Sequence, residues 1–140
     1  MNDLLIKEIE TEAELEQALA LCYRLLGERT DDLYGRDAWH QRWRSGLQPM
    51  VFAQKEGQIV SAVLGCAENN DSLIIGFVAC DENFRRQGIT SKLMAYFETL
   101  AISQGFKYIT LGSKADGFYE KCGYKVLFRK PTQNVYQKKL

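Results

Sequence analysis

The chain has no net charge, only two prolines, a single histidine and no long apolar run, and each shortage removes a class of protein. With 18 Lys and Arg against 18 Asp and Glu in 140 residues, it lacks the basic excess that displaces counterions from a phosphate backbone. That argues against a general nucleic-acid binder. The longest clean apolar run, Leu73 to Cys80, falls far short of the roughly 20 residues that cross a bilayer, so no membrane role is expected. Met1 to Glu10 is acidic and lacks the basic and apolar regions of a signal peptide. Cys22, Cys66, Cys80 and Cys122 form no C-x-x-C pair, and His40 completes no zinc ligand set. Free thiols, no metal and a cytoplasmic location are therefore expected. Pro49 and Pro131 are too few to mark a linker, and no repeat or Gly/Ser tract divides the chain, so residues 1–140 read as one domain.

The 46% hydrophobic and 26% charged composition is ordinary globular material, with enough apolar side chain for one core. The charge is unevenly spread: residues 1 to 70 carry seven basic and twelve acidic side chains, residues 71 to 140 eleven and six. Such asymmetry can mean that each half faces a different partner.

Leu4 to Ile9 reads as a first strand. Thr11-Glu12-Ala13-Glu14 has capping-box spacing and predicts a helix closing at Gly27. Asp37 is expected to cap a short helix in which Trp39 and Trp43 share a face, an arrangement read as a core anchor rather than a ligand contact. His40 beside them is read as a surface residue. Met50 to Lys55, Ile59 to Cys66 and Leu73 to Cys80 predict an antiparallel meander, the last strand buried on both sides. Within it Gly76 suggests a bulge or a close backbone approach. A long helix from Gly88 to Gln104, a strand from Tyr108 to Leu111, a short helix from Lys114 to Lys121 and strands Tyr124 to Phe128 and Val135 to Lys138 complete the pattern. The expected fold is mixed α/β (α+β): a central, mostly antiparallel sheet of about seven strands with helices on both faces.

The run from Val78 to Leu93 carries the most chemistry. A buried strand ends, a polar loop bears Arg85, Arg86 and Gly88, and a helix starts at once. Unpaired N–H groups and the positive end of a helix dipole then meet in one place, which suits an anion. Neither G-x-x-x-x-G-K-[ST] nor G-x-G-x-x-G is present.

Arg85-Arg86-Gln87-Gly88-Ile89-Thr90 resembles the R/Q-x-x-G-x-G/A signature of the GNAT N-acetyltransferases, and Gly117 to Tyr124 is similar to that family's F-Y-x-x-x-G-F/Y element. The order of elements from Leu4 to Leu140 fits as well. The resemblance implies a GNAT fold and acetyl-CoA, or another short acyl-CoA, as co-substrate. It places the pyrophosphate on the backbone N–H groups of Arg86, Gln87, Gly88, Ile89, Thr90 and Ser91, with Arg85 matching the motif directly. It sets the pantetheine arm against the main chain of Val78 and Cys80, and makes Tyr119 the general acid for the departing thiolate. Thr90 departs from the motif, where a smaller residue is usual; its hydroxyl is expected to donate to the phosphate.

The implied reaction is direct attack by a primary amine of a small molecule or peptide. A phenol near pKa 10 is a weaker acid than a thiol near 8.5, so help from Tyr119 is expected to be modest. No acid stands on the central strand. Glu68, Asp71, Glu28, Asp31, Asp32 and a water chain remain open as routes for the amine proton. Cys80 has no base partner and is read as core rather than nucleophile. The acidic N-terminal loops, with Glu28, Asp31 and Asp32, suggest a cationic acceptor. A final strand ending in Gln137-Lys138-Lys139 leaves an edge for a homodimer or guards one with charge. The alternative is an acyl-CoA sensor or interaction module without turnover.

Overall fold

Thr11 closes the first strand and opens the first helix. Its hydroxyl accepts the Glu14 N–H at 3.1 Å, and the Glu14 carboxylate accepts the Thr11 N–H at 3.2 Å, which makes the expected capping box. The computed structural model describes residues 3–115 and 117–140. In chain order it contains β1 (Leu5–Glu8), α1 (Glu12–Leu26), α2 (Arg36–Ser45), β2 (Met50–Lys55), β3 (Gln58–Ala67), β4 (Ser72–Cys80) and a 3-10 turn (Glu82–Phe84). There follow α3 (Ile89–Ser103), β5 (Tyr108–Ser113), α4 (Phe118–Lys121), β6 (Lys125–Arg129) and β7 (Asn134–Lys139).

The seven strands form one sheet in the order β1-β2-β3-β4-β5-β7-β6. Only the β4–β5 pair is parallel; the other five neighbouring pairs are antiparallel. One face is covered by α1 and α2, where Leu15, Leu19, Trp39, Phe52, Leu64 and Phe77 pack together. On the other, Leu93 and Phe97 of α3 and Tyr119 of α4 meet Val63, Ile109 and Tyr136. No described helix is long and apolar enough to cross a membrane.

Three local readings change. Gly35, not Asp37, precedes the first turn of α2: its carbonyl accepts the Trp39 N–H at 3.2 Å. Gly35 also closes a turn on Asp31, whose carbonyl oxygen would stand 2.5 Å from any added Cβ. Asp37 instead sits inside the first turn, where its charge suits the helix dipole. The helix expected from Lys114 shortens to α4, because Gly117 takes a left-handed φ of 85° and restarts the chain there; Asp116 lies outside the described residues. The final strand is not an edge, since β7 runs between β5 and β6 and the edges fall to β1 and β6.

The two tryptophans do anchor α2. Trp39 is fully buried, and the Trp43 indole N–H donates to the Ile9 carbonyl at 3.0 Å. His40 is less exposed than expected, at 13% of its side chain, because α2 lays it against Glu12 and Glu16 of α1.

Candidate active site

The site begins with an irregularity in β4. Leu64 pairs with Phe77 but the next residue, Gly65, pairs with Ile75, so Gly76 is the extra residue of a β-bulge. The side chains change face there: Leu73 and Ile75 point to the α3 side, whereas Phe77 and Ala79 point to the α1 side. Gly76 also permits a close approach, because an added Cβ would lie 2.6 Å from the Trp39 ring and 2.9 Å from that of Tyr34.

Beyond the bulge β4 and β5 part. Their pairing covers Ser72 to Ile74 against Tyr108 to Thr110, while β4 stays paired with β3 as far as Cys80. The Asp81 N–H donates to the Val60 carbonyl at 2.7 Å, so strand alternation turns the polar groups of Ala79 and Phe77 toward β3 as well. Those of Val78 and Cys80 then face the opening. The Cys80 carbonyl is met by Arg85 Nε at 3.3 Å, which leaves its N–H toward the cleft.

The loop after β4 is held from three sides. Asp81 accepts the Asn83 N–H at 2.8 Å and so caps the 3-10 turn. Arg24 at the end of α1 clamps Asp81 at 3.0 Å and Glu82 at 2.9 Å. Lys55 donates to the Gln87 side chain at 2.9 Å. Between these ties Arg86 and Gly88 take left-handed φ values of 65° and 74°. A non-glycine residue in that region is uncommon, and here it turns the chain into the start of α3. No side chain caps that start, so the first N–H groups of α3 stay free for an outside acceptor.

A cavity of about 730 Å³ lies over this loop. It is bordered by Val78, Cys80, Arg85, Arg86, Gly88, Ile89, Thr90, Ser91 and Tyr119. All the residues that the sequence motifs single out for the cofactor border it except Gln87, whose side chain turns to Lys55. Phe84 and Phe118 add apolar wall and Lys121 adds a third cation. No carboxylate stands among its described lining residues. Lys121 went unremarked in the sequence although it belongs to the same F-Y-x-x stretch; what signals it is its place on the helix of Tyr119.

A second cavity, of about 580 Å³, opens on the other side of the split and shares Val78, Ala115 and Tyr119 with the first. Gly76, Phe77, Ser113, Lys114 and Gln133 line it, with Leu25, Leu26 and Arg29 at the end of α1. No carboxylate lines this cavity either among the described residues. Glu28, Asp31 and Asp32 border a separate surface hollow. Asp31 is already engaged there, by Arg29 at 2.7 and 2.9 Å and by the N–H groups of Leu33 and Tyr34. The Arg29 guanidinium holds its carboxyl down at about 2. Glu68 and Asp71 belong to the β3–β4 connection and border neither cavity.

Tyr119 is 5% exposed and packs edge-on to Phe118 and Tyr124, with Tyr136 at 5.4 Å. Burial pushes its phenol up to about 12, against a smaller opposing effect of a hydrogen bond with the Ser113 side chain. The end of its helix is fixed by Lys138, which donates to the Cys122 carbonyl at 2.7 Å and to Glu98 at 2.8 Å. Glu98 also accepts the Tyr124 hydroxyl at 2.9 Å.

A parallel pair parts in an otherwise antiparallel sheet, with an uncapped helix start and a buried tyrosine at its mouth. The chain belongs to the acetyltransferase (GNAT) family, whose model matches residues 11–124. Solved structures agree. PaiA N-acetyltransferase from Thermoplasma acidophilum in complex with coenzyme A superposes at a TM-score of 0.80, with 14% identity over 99% of this chain and 100% of that one. An aminoglycoside 6'-N-acetyltransferase complexed with coenzyme A gives 0.78, with 17% identity over 96% of each chain. A GNAT acetyltransferase from Elizabethkingia anophelis with acetyl-CoA bound gives 0.73, with 13% identity over the whole of both chains. At such identities the likeness is one of fold. No curated protein sequence matches the chain.

Proposed function

We propose that this protein transfers an acetyl group from acetyl-CoA, or a closely related short acyl-CoA, directly to the primary amine of a small molecule or peptide bound in the same cleft. The observation that carries this reading is the meeting of two cavities at Val78 and Tyr119. One cavity suits a polyanion and the other opens from solvent onto the same point.

Arg85, Arg86 and Lys121 supply positive charge for the cofactor, and the free N–H groups of Ile89, Thr90 and Ser91 lie at the positive end of α3. Binding of coenzyme A or acetyl-CoA by three structures of the same fold supports the assignment. The N–H groups of Val78 and Cys80 would hold the pantetheine arm and face the oxygen of the thioester. A donor placed where negative charge develops is typically worth about 10² to 10³ in rate.

The amine nitrogen attacks the carbonyl carbon, a C–N bond forms, and the carbonyl electron pair moves onto oxygen. Its return breaks the C–S bond and releases the thiolate; the proton lost from nitrogen balances the one the thiolate takes up. Tyr119, held neutral by burial, donates a hydrogen bond to the sulfur rather than giving up its proton, because its acidity is far below that of a thiol. The described residues lining the second cavity include no carboxylate base, so the amine enters already neutral or loses its proton to water.

A melt with and without acetyl-CoA, followed by an amine panel, tests the reading. Saturation at a hundred times the dissociation constant adds about 2.7 kcal/mol. Stabilisation with acetylated product supports a transferase. Stabilisation without turnover of any amine would favour an acyl-CoA sensor, and the absence of a shift would remove both.

A further inference from the structure

The charges around the second cavity bear on which amine enters it. None of Glu28, Asp31 and Asp32 lines this cavity; they border a neighbouring hollow that shares Arg29 with it. Its charged described lining residues are Arg29 and Lys114. Lys114 is exposed and makes no ion pair among the described residues. Arg29 is held in one orientation by its double hydrogen bond to Asp31 through Nε and Nη2, and its guanidinium lies 5.1 Å from the centre of the Tyr34 ring. Asp31 pairs with Arg29 through Nε and Nη2 and leaves Nη1 outside that pair, while Lys114 adds a positive charge with no ion-pair partner among the described residues.

Across the cavity, the side-chain amide of Gln133 lies over Gly112, so close that a Cβ there would stand 2.5 Å from its Nε2. The missing side chain at Gly112 is what lets a long polar residue from the β6–β7 connection reach over β5. The Arg29 guanidinium, the Gln133 amide and the Lys114 ammonium therefore line a space of about 580 Å³, within the roughly 300–1,000 Å³ range of small-molecule sites. A guanidinium N–H and an ammonium each make charge-assisted hydrogen bonds to a carboxylate, whereas a second ammonium on the acceptor would meet like charge. Leu25, Leu26 and Phe77 offer contact to a short carbon chain.

We infer that the acceptor is a small amine that also carries a carboxylate, an amino acid of α or ω type, read by Lys114, Arg29 and Gln133. This rests on the acetyltransferase reading and names its substrate class.

The test compares matched pairs at saturating acetyl-CoA: leucine with 3-methylbutylamine, phenylalanine with 2-phenylethylamine, 4-aminobutyrate with propylamine, and spermidine as a polycation. Rates are referred to the fraction of neutral amine. The expected result is that at least one carboxylate-bearing member exceeds its partner at least tenfold in kcat/KM. Lys114→Glu, which keeps the melting temperature because the side chain is exposed, should reduce that preference at least tenfold. A preference for spermidine or for the decarboxylated members overturns the inference, as does a ratio unmoved by Lys114→Glu; both leave acetyl transfer intact. Failure to acetylate any amine despite binding of acetyl-CoA overturns the inference together with the reading beneath it.

Discussion

Trp39 lies directly on the backbone of Gly76, its ring 2.6 Å from where a Cβ would stand. The contact joins α2 to the bulge that parts β4 from β5, so a helix remote from the cofactor loop shapes the opening. Gly76→Ala must displace a fully buried indole. Overpacking of this kind costs about 1–3 kcal/mol. A loss of several degrees in the melting temperature is expected, and an unchanged melt would mean that the indole moves freely.

The phenol of Tyr119 sets a pH signature. A folded value raised to about 12, from an ordinary value near 10, keeps the hydrogen-bond donor neutral through the alkaline range and releases its proton only above it. The rate should therefore show no fall centred near pH 10. Tyr119→Phe should lower kcat by no more than about 10²-fold, the low end of acid–base effects, with the dissociation constant for acetyl-CoA little changed. Ultraviolet titration of the wild type against Tyr119→Phe should assign to Tyr119 an ionisation above pH 11. A phenol titrating near 10 would contradict the burial argument.

Without a carboxylate among the described residues beside the acceptor, the rising limb of kcat/KM with pH should follow the acceptor's own ammonium group. Three amines of different basicity would give three different midpoints. One midpoint common to all three would reveal a base in the protein.

Gly88 stands at φ 74°, with open space where a Cβ would point. Left-handed backbone costs an L-residue roughly 1–2 kcal/mol, and Gly88→Ala would add a Cβ in open space at the residue that precedes the free N–H groups of α3. The expected outcome is a small loss of stability with at least a tenfold rise in the KM for acetyl-CoA and a much smaller change in kcat. Equal losses in both would place Gly88 in the chemistry instead.

The elements, and the meeting of Arg85 to Ser91 with Tyr119 near one cavity, were legible because local signals agreed with tertiary ones. Thr11 and Glu14 form their capping box, Trp39 and Trp43 anchor α2, and Arg85 to Ser91 follow a strand and open a helix. Where the outcome depended on how the chain packs rather than on residue spacing, reading failed. Gly35 displaced Asp37 because of its fit against Asp31, and the last strand moved inside the sheet because β6 folds back beside it. The acceptor side was hidden for the same reason. Arg29, Lys114 and Gln133 come from three connections far apart in the chain, and no spacing joins them. The acidic loops suggested a cationic acceptor by composition alone; in the fold Asp31 is engaged by Arg29, and Glu28, Asp31 and Asp32 border a different hollow from the one that Lys114 lines.

A structure of the protein with coenzyme A tests the central claim most directly. The account places the sulfur between Val78 and Tyr119, within about 3.5 Å of the phenol oxygen, and the pyrophosphate on the N–H groups that open α3. A sulfur lying away from Tyr119, or a pyrophosphate bound elsewhere than at Gly88 to Ser91, would contradict it.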